Sequence, residues 1–264
     1  MSASPFSLDG QVILVSGAGR GIGRAAAELI AQMGARVALT ARTATQVEQV
    51  AQSIRDNGGE AWAFRADVAM IEDHPSLLED VEETCGPLTG LVNVAGISPI
   101  LQRGERITAE QYDQIQNINQ RGTFFLTRHF AARLIEADRG GSVVTISSVG
   151  ADFGLPRQTA YAMTRAAVEA MTKTLAAEWA HALTNPIRVN CVAPAFIDTP
   201  LTEPMPGWYR NRVEQHTAMR RLGADDEVAG AVAFLLSDAA SYITGTVVPV
   251  TGGYGLWSLD KPPT

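Results

Sequence analysis

The sequence predicts an α/β domain: a doubly wound parallel sheet of seven strands with helices on both faces. Three observations carry that expectation. Short runs that are apolar along their whole length recur through the chain, helical stretches separate them, and a glycine cluster joins the first run to the first helix. Strands that are apolar on both sides belong in a sheet covered on both faces, which is the parallel kind. Right-handed crossovers then place the helices above and below it.

The elements follow in order. QVILVSG (11–17) is a strand that runs into glycines, and IGRAAAELIAQMG (22–34) is a helix closed by Gly34. ARVALTAR (35–42) is the second strand. TATQVEQVAQSIRDNGG (43–59) is a helix with a capping Thr43 and a glycine stop. EAWAFRADV (60–68) is the third strand, and a helix over 73–84 leads to the fourth, LTGLVNVAG (88–96). Residues 108–138 are mostly helical. GSVVTISS (141–148) is the fifth strand, followed by a long helix over 159–182. PIRVNCVAP (186–194) is the sixth strand, 227–237 a further helix, and GTVVPVTGG (245–253) the last strand. Repeats, low-complexity tracts and Gly/Ser linkers are missing, so residues 1–264 read as one domain. One segment, 196–223, has three prolines and no strand pattern. A long excursion of this kind inside a domain predicts a lid or binding loop.

Composition narrows the function. A net charge of −7 argues against non-specific nucleic-acid binding. No apolar run reaches the length of a membrane span, and the first residues lack the pattern of a signal peptide. The expectation is a soluble, cytoplasmic protein. Cys85 and Cys191 are far apart and have no zinc or disulfide spacing, so both are expected as reduced, buried residues. His74, His129 and His181 have no ligand spacing, and no metal is expected.

The stretch SGAGRGIG (16–23) follows the first strand and opens the first helix. Gly17 permits the tight turn, while Gly21 and Gly23 allow backbone to approach a pyrophosphate and the helix to pack on the strand. The helix N-terminus then offers free N–H groups to phosphate. In NAD-binding proteins an acid at the end of the second strand holds the ribose hydroxyls. Here Ala41 occupies that place, Arg42 follows, and Arg20 lies in the glycine loop. Two guanidiniums suit a 2′-phosphate, so NADP(H) is favoured over NAD(H).

With these motifs in view the chain resembles the short-chain dehydrogenases/reductases, a Rossmann-fold family. The glycine stretch is similar to the family's T-G-x-x-x-G-x-G, with Ser16 in place of Thr and Ile22 inside the motif. Asp67, followed by Val68, matches the acid that bonds the adenine ring. Asn93, Val94, Ala95 and Gly96 resemble N-N-A-G, and Asn119 matches the helix asparagine of N-x-x-G. Ser148 precedes Tyr161 by the family's spacing of thirteen. Pro194, Ile197 and Thr199 stand in a segment similar to the one that holds nicotinamide, with Ala195 where glycine is usual. Thr251 stands where the family commonly has Asp. The largest departure is Tyr161-x-x-x-Arg165, because the family has lysine at the last position.

The resemblance implies hydride transfer between nicotinamide and a carbonyl or secondary alcohol. Tyr161 would be the general acid/base, Ser148 the hydrogen-bond donor to the same oxygen, Asn119 part of a proton relay, and Arg165 the cation that binds ribose and activates the phenol. A positive charge about 6 Å from a phenol, at an effective dielectric near 20, lowers its pKa by about two units. Arginine supplies that charge at every relevant pH, but its planar fork differs from lysine's compact ammonium. The alternative is a catalytically weakened dinucleotide-binding protein on the same fold.

The substrate side is expected from Ile97, Ser98, Gly150, Ala195, Phe196 and the lid. The lid carries Trp208, Tyr209, Arg210, Arg212, His216, Arg220 and Arg221, and Arg157 lies just before Tyr161. These basic residues suit either an anionic substrate or, as the preferred reading, a solvated helix with outward arginines. Members of the family usually form homotetramers, so a homotetramer or homodimer is expected.

Overall fold

In a computed structural model that describes residues 4–97, 101–181, 184–200, 202–203 and 205–256, the elements alternate as the sequence predicts. Strand β1 (Val12–Ser16) leads to helix α1 (Gly21–Gln32), β2 (Arg36–Ala41) to α2 (Ala44–Asp56), and β3 (Glu60–Arg65) to α3 (His74–Cys85). After β4 (Gly90–Asn93) come α4 (Ala109–Gln116) and α5 (Thr123–Glu136), joined by a π-helical segment at Asn117–Gly122. Then follow β5 (Gly141–Ile146), α6 (Thr159–Trp179), β6 (Ile187–Pro194), α7 (Gly207–Gln215), α8 (Asp225–Leu236) and β7 (Val247–Val250). The seven strands form one sheet in the order β3-β2-β1-β4-β5-β6-β7. Every neighbouring pair is parallel.

Alternation along β1 shows why the sheet is buried on both sides. Ile13 and Val15 face a cluster built with Ala26, Ala27 and Ile30 of α1, Val50 and Ile54 of α2 and Val228 and Val232 of α8. Val12 and Leu14 face the opposite cluster, with Leu78 and Val81 of α3, Leu126 and Phe130 of α5 and Leu175 of α6. Side chains of a strand point alternately to the two faces, so a strand covered twice must be apolar throughout. Burial of each such aliphatic side chain stabilises the fold by roughly 1.5–3 kcal/mol. Cys85 and Cys191 are free and buried.

Three of the strands, β3, β4 and β5, end two or three residues before their runs do, and for one reason. The run 60–68 leaves the sheet after Arg65, the run 88–96 after Asn93, and the run 141–148 after Ile146. Their last residues turn out at the carboxyl edge and line a cavity there. Thr43 precedes α2 as expected, but its side chain makes no cap hydrogen bond; it faces that cavity instead. Thr108 does cap α4, accepting from the Gln111 backbone N–H at 3.3 Å.

The 196–223 segment contains α7, a helix that its residues do not announce, because only Val213 among them is buried. Its two ends meet. The Asp198 N–H donates to the Gly223 carbonyl at 2.8 Å, and the Gly223 N–H donates to the Phe196 carbonyl at 3.0 Å. The expected lid residues Leu201 and Pro204, the expected pocket residue Ser98 and the C-terminal tail from Trp257 lie outside the described residues. Among the described residues no helix is long and apolar enough to cross a membrane.

Candidate active site

Chain order reverses between β1 and β4, because β2 and β3 lie on one side of them and β5 to β7 on the other. Ligands of open α/β sheets bind at the carboxyl ends of the strands at such a point. A cavity of about 390 Å3 lies there. Gly17, Arg20, Gly21 and Ile22 line one end, with Arg42, Asp67 and Val68. Ala95, Gly96, Ile97, Ser148, Tyr161, Arg165, Pro194, Ala195, Ile197 and Thr199 line the rest of it, with Thr199 beside Gly21.

The glycine turn is shaped by close backbone approach. Gly17 has φ 71°, and a Cβ on it would lie 2.6 Å from the Ala95 nitrogen. A Cβ on Gly23 would run into the Gly17 carbonyl. Gly23 therefore lets α1 pack on the turn and stands behind the cavity lining. The first turn of α1 has no acid, and Arg20 before it makes no side-chain cap. Its free N–H groups and the helix dipole favour an anion. Arg20 and Arg42 are both exposed and reach the same end of the cavity. Thr43 and Gln46 join them there, two polar residues that the motifs did not single out.

Asn93 also stands behind the lining. It is buried, and its Nδ2 donates to Thr127 Oγ1 at 2.8 Å, which ties β4 to α5. Asn119 is completely buried at the π-helical segment. Its Oδ1 accepts from the Ile97 N–H at 2.8 Å, and its Nδ2 donates to the Ile97 carbonyl at 3.1 Å. Both ends of the amide thus hold the loop after β4 that lines the cavity. Gly122, in the same segment, is needed because a Cβ would lie 2.5 Å from the Val68 carbonyl.

Ser148 leaves β5 at the cavity, and its Oγ accepts from the Gly150 N–H at 3.1 Å. Tyr161 lies in the first turn of α6 and is buried. Arg165, one turn later, is only 7% exposed. Its guanidinium carbon lies 4.9 Å from the centroid of the Tyr161 ring. Its Nη1 donates to the Ile146 carbonyl at 2.8 Å, and its Nε has no partner among the described residues. A Cβ on Gly96 would lie 2.8 Å from Nη2. The cation is stacked on the phenol ring and clamped between β5 and the loop after β4. Stacking of this kind is worth about 0.5–2 kcal/mol, more where water is excluded.

The charges of the 196–223 segment are spent close to home. Arg210 pairs with Asp198 at 2.8 Å and Arg221 with Glu227 at 2.6 Å. Arg220 donates to the Gln215 carbonyl at 2.5 Å. The Arg221 side chain, with help from the Ala224 N–H, holds the Glu227 carboxyl down at about 2. Arg157 and Arg212 are exposed. Phe196 stacks at 6.0 Å on Tyr209 of α7 and at 5.3 Å on Tyr254, whose ring meets Phe153 at 5.7 Å. This aromatic chain ties the lid to the segment after β7 and to the loop that follows Ser148.

A family model described as enoyl-(acyl carrier protein) reductase matches residues 17–255. The chain belongs to the short-chain dehydrogenases/reductases. This short-chain dehydrogenase/reductase is 36% identical to galactitol 2-dehydrogenase of Rhizobium johnstonii over 260 residues, 96% of this chain and 98% of the relative. It is 36% identical to the 3-oxoacyl-(acyl-carrier-protein) reductase of Thermotoga maritima over 248 residues, 93% and 98% of the two chains. Its fold matches a gluconate 5-dehydrogenase from Burkholderia cenocepacia, solved in complex with NADP and tartrate, with a TM-score of 0.89. That match has 29% identity and covers 95% of this chain and 97% of the other. The protein is therefore an oxidoreductase of this family.

Proposed function

We propose that this oxidoreductase interconverts a carbonyl and a secondary alcohol by direct hydride transfer, with NADP(H) preferred over NAD(H). The observation that carries the proposal is one cavity lined by an anion-binding turn, two guanidiniums, Ser148 and Tyr161. The residues fit a dinucleotide. The glycine turn admits a pyrophosphate at the start of α1, and Arg20 and Arg42 suit a 2′-phosphate that an acid at position 41 would repel. The nicotinamide supplies or removes the hydride.

The chain's own residues handle the proton. In reduction Tyr161 gives its phenolic proton to the carbonyl oxygen, and Ser148 donates a hydrogen bond to that same oxygen. In alcohol oxidation the phenolate takes the proton back. Arg165 keeps a fixed positive charge against the ring and so favours the phenolate that forms. Asn119 positions the loop from Val94 to Ile97, and the 196–223 segment acts as the lid. Tyr112 on α4, Phe124 on α5 and Met163 on α6 are exposed apolar side chains. They support assembly into a homotetramer or homodimer, which light scattering measures.

Turnover of NADPH and NADP+ with a panel of carbonyls and secondary alcohols tests the proposal. Tyr161→Phe is expected to lower kcat by about 100-fold or more, the usual span of general acid/base catalysis, while NADPH still binds. If no substrate gives turnover that this variant loses, the protein is a dinucleotide binder with another role. A tenfold preference for NADH, about 1.4 kcal/mol, would overturn the cofactor assignment.

A further inference from the structure

Tyr161, Arg165 and Glu169 are spaced four apart on α6 and share one helix face. Glu169 is only 8% exposed, yet it takes part in none of the ion pairs among the described residues. A buried carboxylate without a cation is costly and calls for a reason. Its partner is Ser147, whose Oγ donates to Glu169 Oε1 at 2.7 Å. That Oγ also lies 3.2 Å from the Arg165 carbonyl. Ser147 is buried, lines the cavity and immediately precedes Ser148.

Resting on the assignment of Tyr161 as the acid/base, we propose that Glu169 is a positioning residue that anchors Ser147, and with it Ser148, and opposes the charge of Arg165. An arginine cannot lose its proton to adjust its influence on the phenol. A carboxylate one turn further along the helix supplies an opposing charge. Charged and titratable groups around Glu169 are Arg165 and Lys173 on its own helix, Asp152 from the loop after Ser148 and Cys191 on β6. Burial raises the Glu169 carboxyl above its usual range, the Ser147 hydrogen bond opposes that, and Asp152 adds to it. Burial, with Glu169 as the next cause, pushes the Cys191 thiol up to about 12. At the alkaline pH where phenols titrate, a carboxyl is ionised. Its negative charge then works against the phenolate.

The test compares wild type, Glu169→Gln and Glu169→Asp. One readout is the pH profile of turnover. A second needs no catalysis: the ultraviolet titration of the phenol, taken as the difference between each protein and its own Tyr161→Phe counterpart. Eight residues of helix span about 12 Å, so losing the anion lowers the midpoint by about 0.25 unit at dielectric 80 and about one unit at 20. Glu169→Gln is expected to move both the pH profile and the phenol midpoint acidward by that amount. Glu169→Asp, which keeps the charge, is expected to stay near wild type. Glu169→Ala removes charge and anchor together. It is expected to lower the midpoint equally and to reduce kcat more than it raises KM, and it gives the result if the glutamine variant does not fold. An unmoved phenol midpoint in the charge-removing variants overturns the proposal, whether or not the protein turns over. Absent Tyr161-dependent turnover with a shifted midpoint overturns the proposed chemistry and leaves the charge coupling standing.

Discussion

At the glycine turn a Cβ on Gly17 would lie 2.6 Å from a backbone nitrogen; on α7, Trp208 is 71% exposed. The nucleotide end is built by backbone that leaves no room, and it fixes residue types. The 196–223 segment is a single turn-rich excursion around one short helix, and many residues would serve on its exposed face. Closeness of approach decides what a position tolerates. The same contrast separates Arg165, clamped against Ile146, Gly96 and the Tyr161 ring, from Arg221, which pairs with Glu227 at the surface.

The strongest attempt to break the comparison is Gly23→Ala. Its Cβ meets the Gly17 carbonyl, so the first turn must move. Overpacking of this kind costs about 1–3 kcal/mol. The expected outcome is a marked fall in denaturation midpoint together with weaker NADPH binding, measured by thermal unfolding with and without the dinucleotide. Unchanged binding and stability would mean the turn is not tight. Arg165→Met comes next. It keeps bulk under the ring and removes the charge, so kcat is expected to fall about tenfold or more and the pH profile to move to higher pH. Arg165→Lys restores the charge and is expected to keep or raise turnover. Kinetics of Arg165→Met equal to wild type would make the cation a bystander.

Arg221→Ala is expected to have the smallest effect, because the pair is exposed and screened. Its sign with pH is fixed. The Glu227 carboxyl is held at about 2 in the folded protein, below its ordinary value of 4.5. The pair's stabilisation is thus complete above pH 4.5 and is lost as the pH falls through about 2. The Tm difference between wild type and Arg221→Ala is expected to shrink over that window and in high salt. A constant difference would mean that Arg221 acts by packing.

How legible each part was follows the same physics. Order and type of the strands came through because a strand covered twice must be apolar throughout, as β1 is. Their ends did not, because Ala66, Val68 and Val94 to Gly96 continue the apolar or small residues of the run after the chain has left the sheet. Gly17 was placed by its strand–turn–helix setting and Ser148, Tyr161 and Arg165 by the family resemblance, and the cavity gathers all four. Asn93, Asn119 and Gly23 were expected in the site as well, and they stand behind it. A motif records that a position is constrained, and a hydrogen bond to the Ile97 backbone constrains as strongly as a ligand does. Helix α7 lacks an apolar stripe, and Glu169 reads as an ordinary polar residue of a helix. Nothing local marks a carboxylate whose burial depends on Ser147, twenty-two residues earlier.

The 196–223 segment has its two ends joined at Phe196 and Gly223, where two backbone hydrogen bonds close a neck. Between those points Ile197 and Thr199 still line the cavity, so what the neck leaves free to vary begins after them, around α7. The main-chain neck acts together with the Phe196–Tyr254 ring contact and the Arg221–Glu227 pair, and the exposed face of α7 lies away from all of them. Residues on that outer face are thereby separated from the strands that carry the core, and they can be exchanged at little cost to stability.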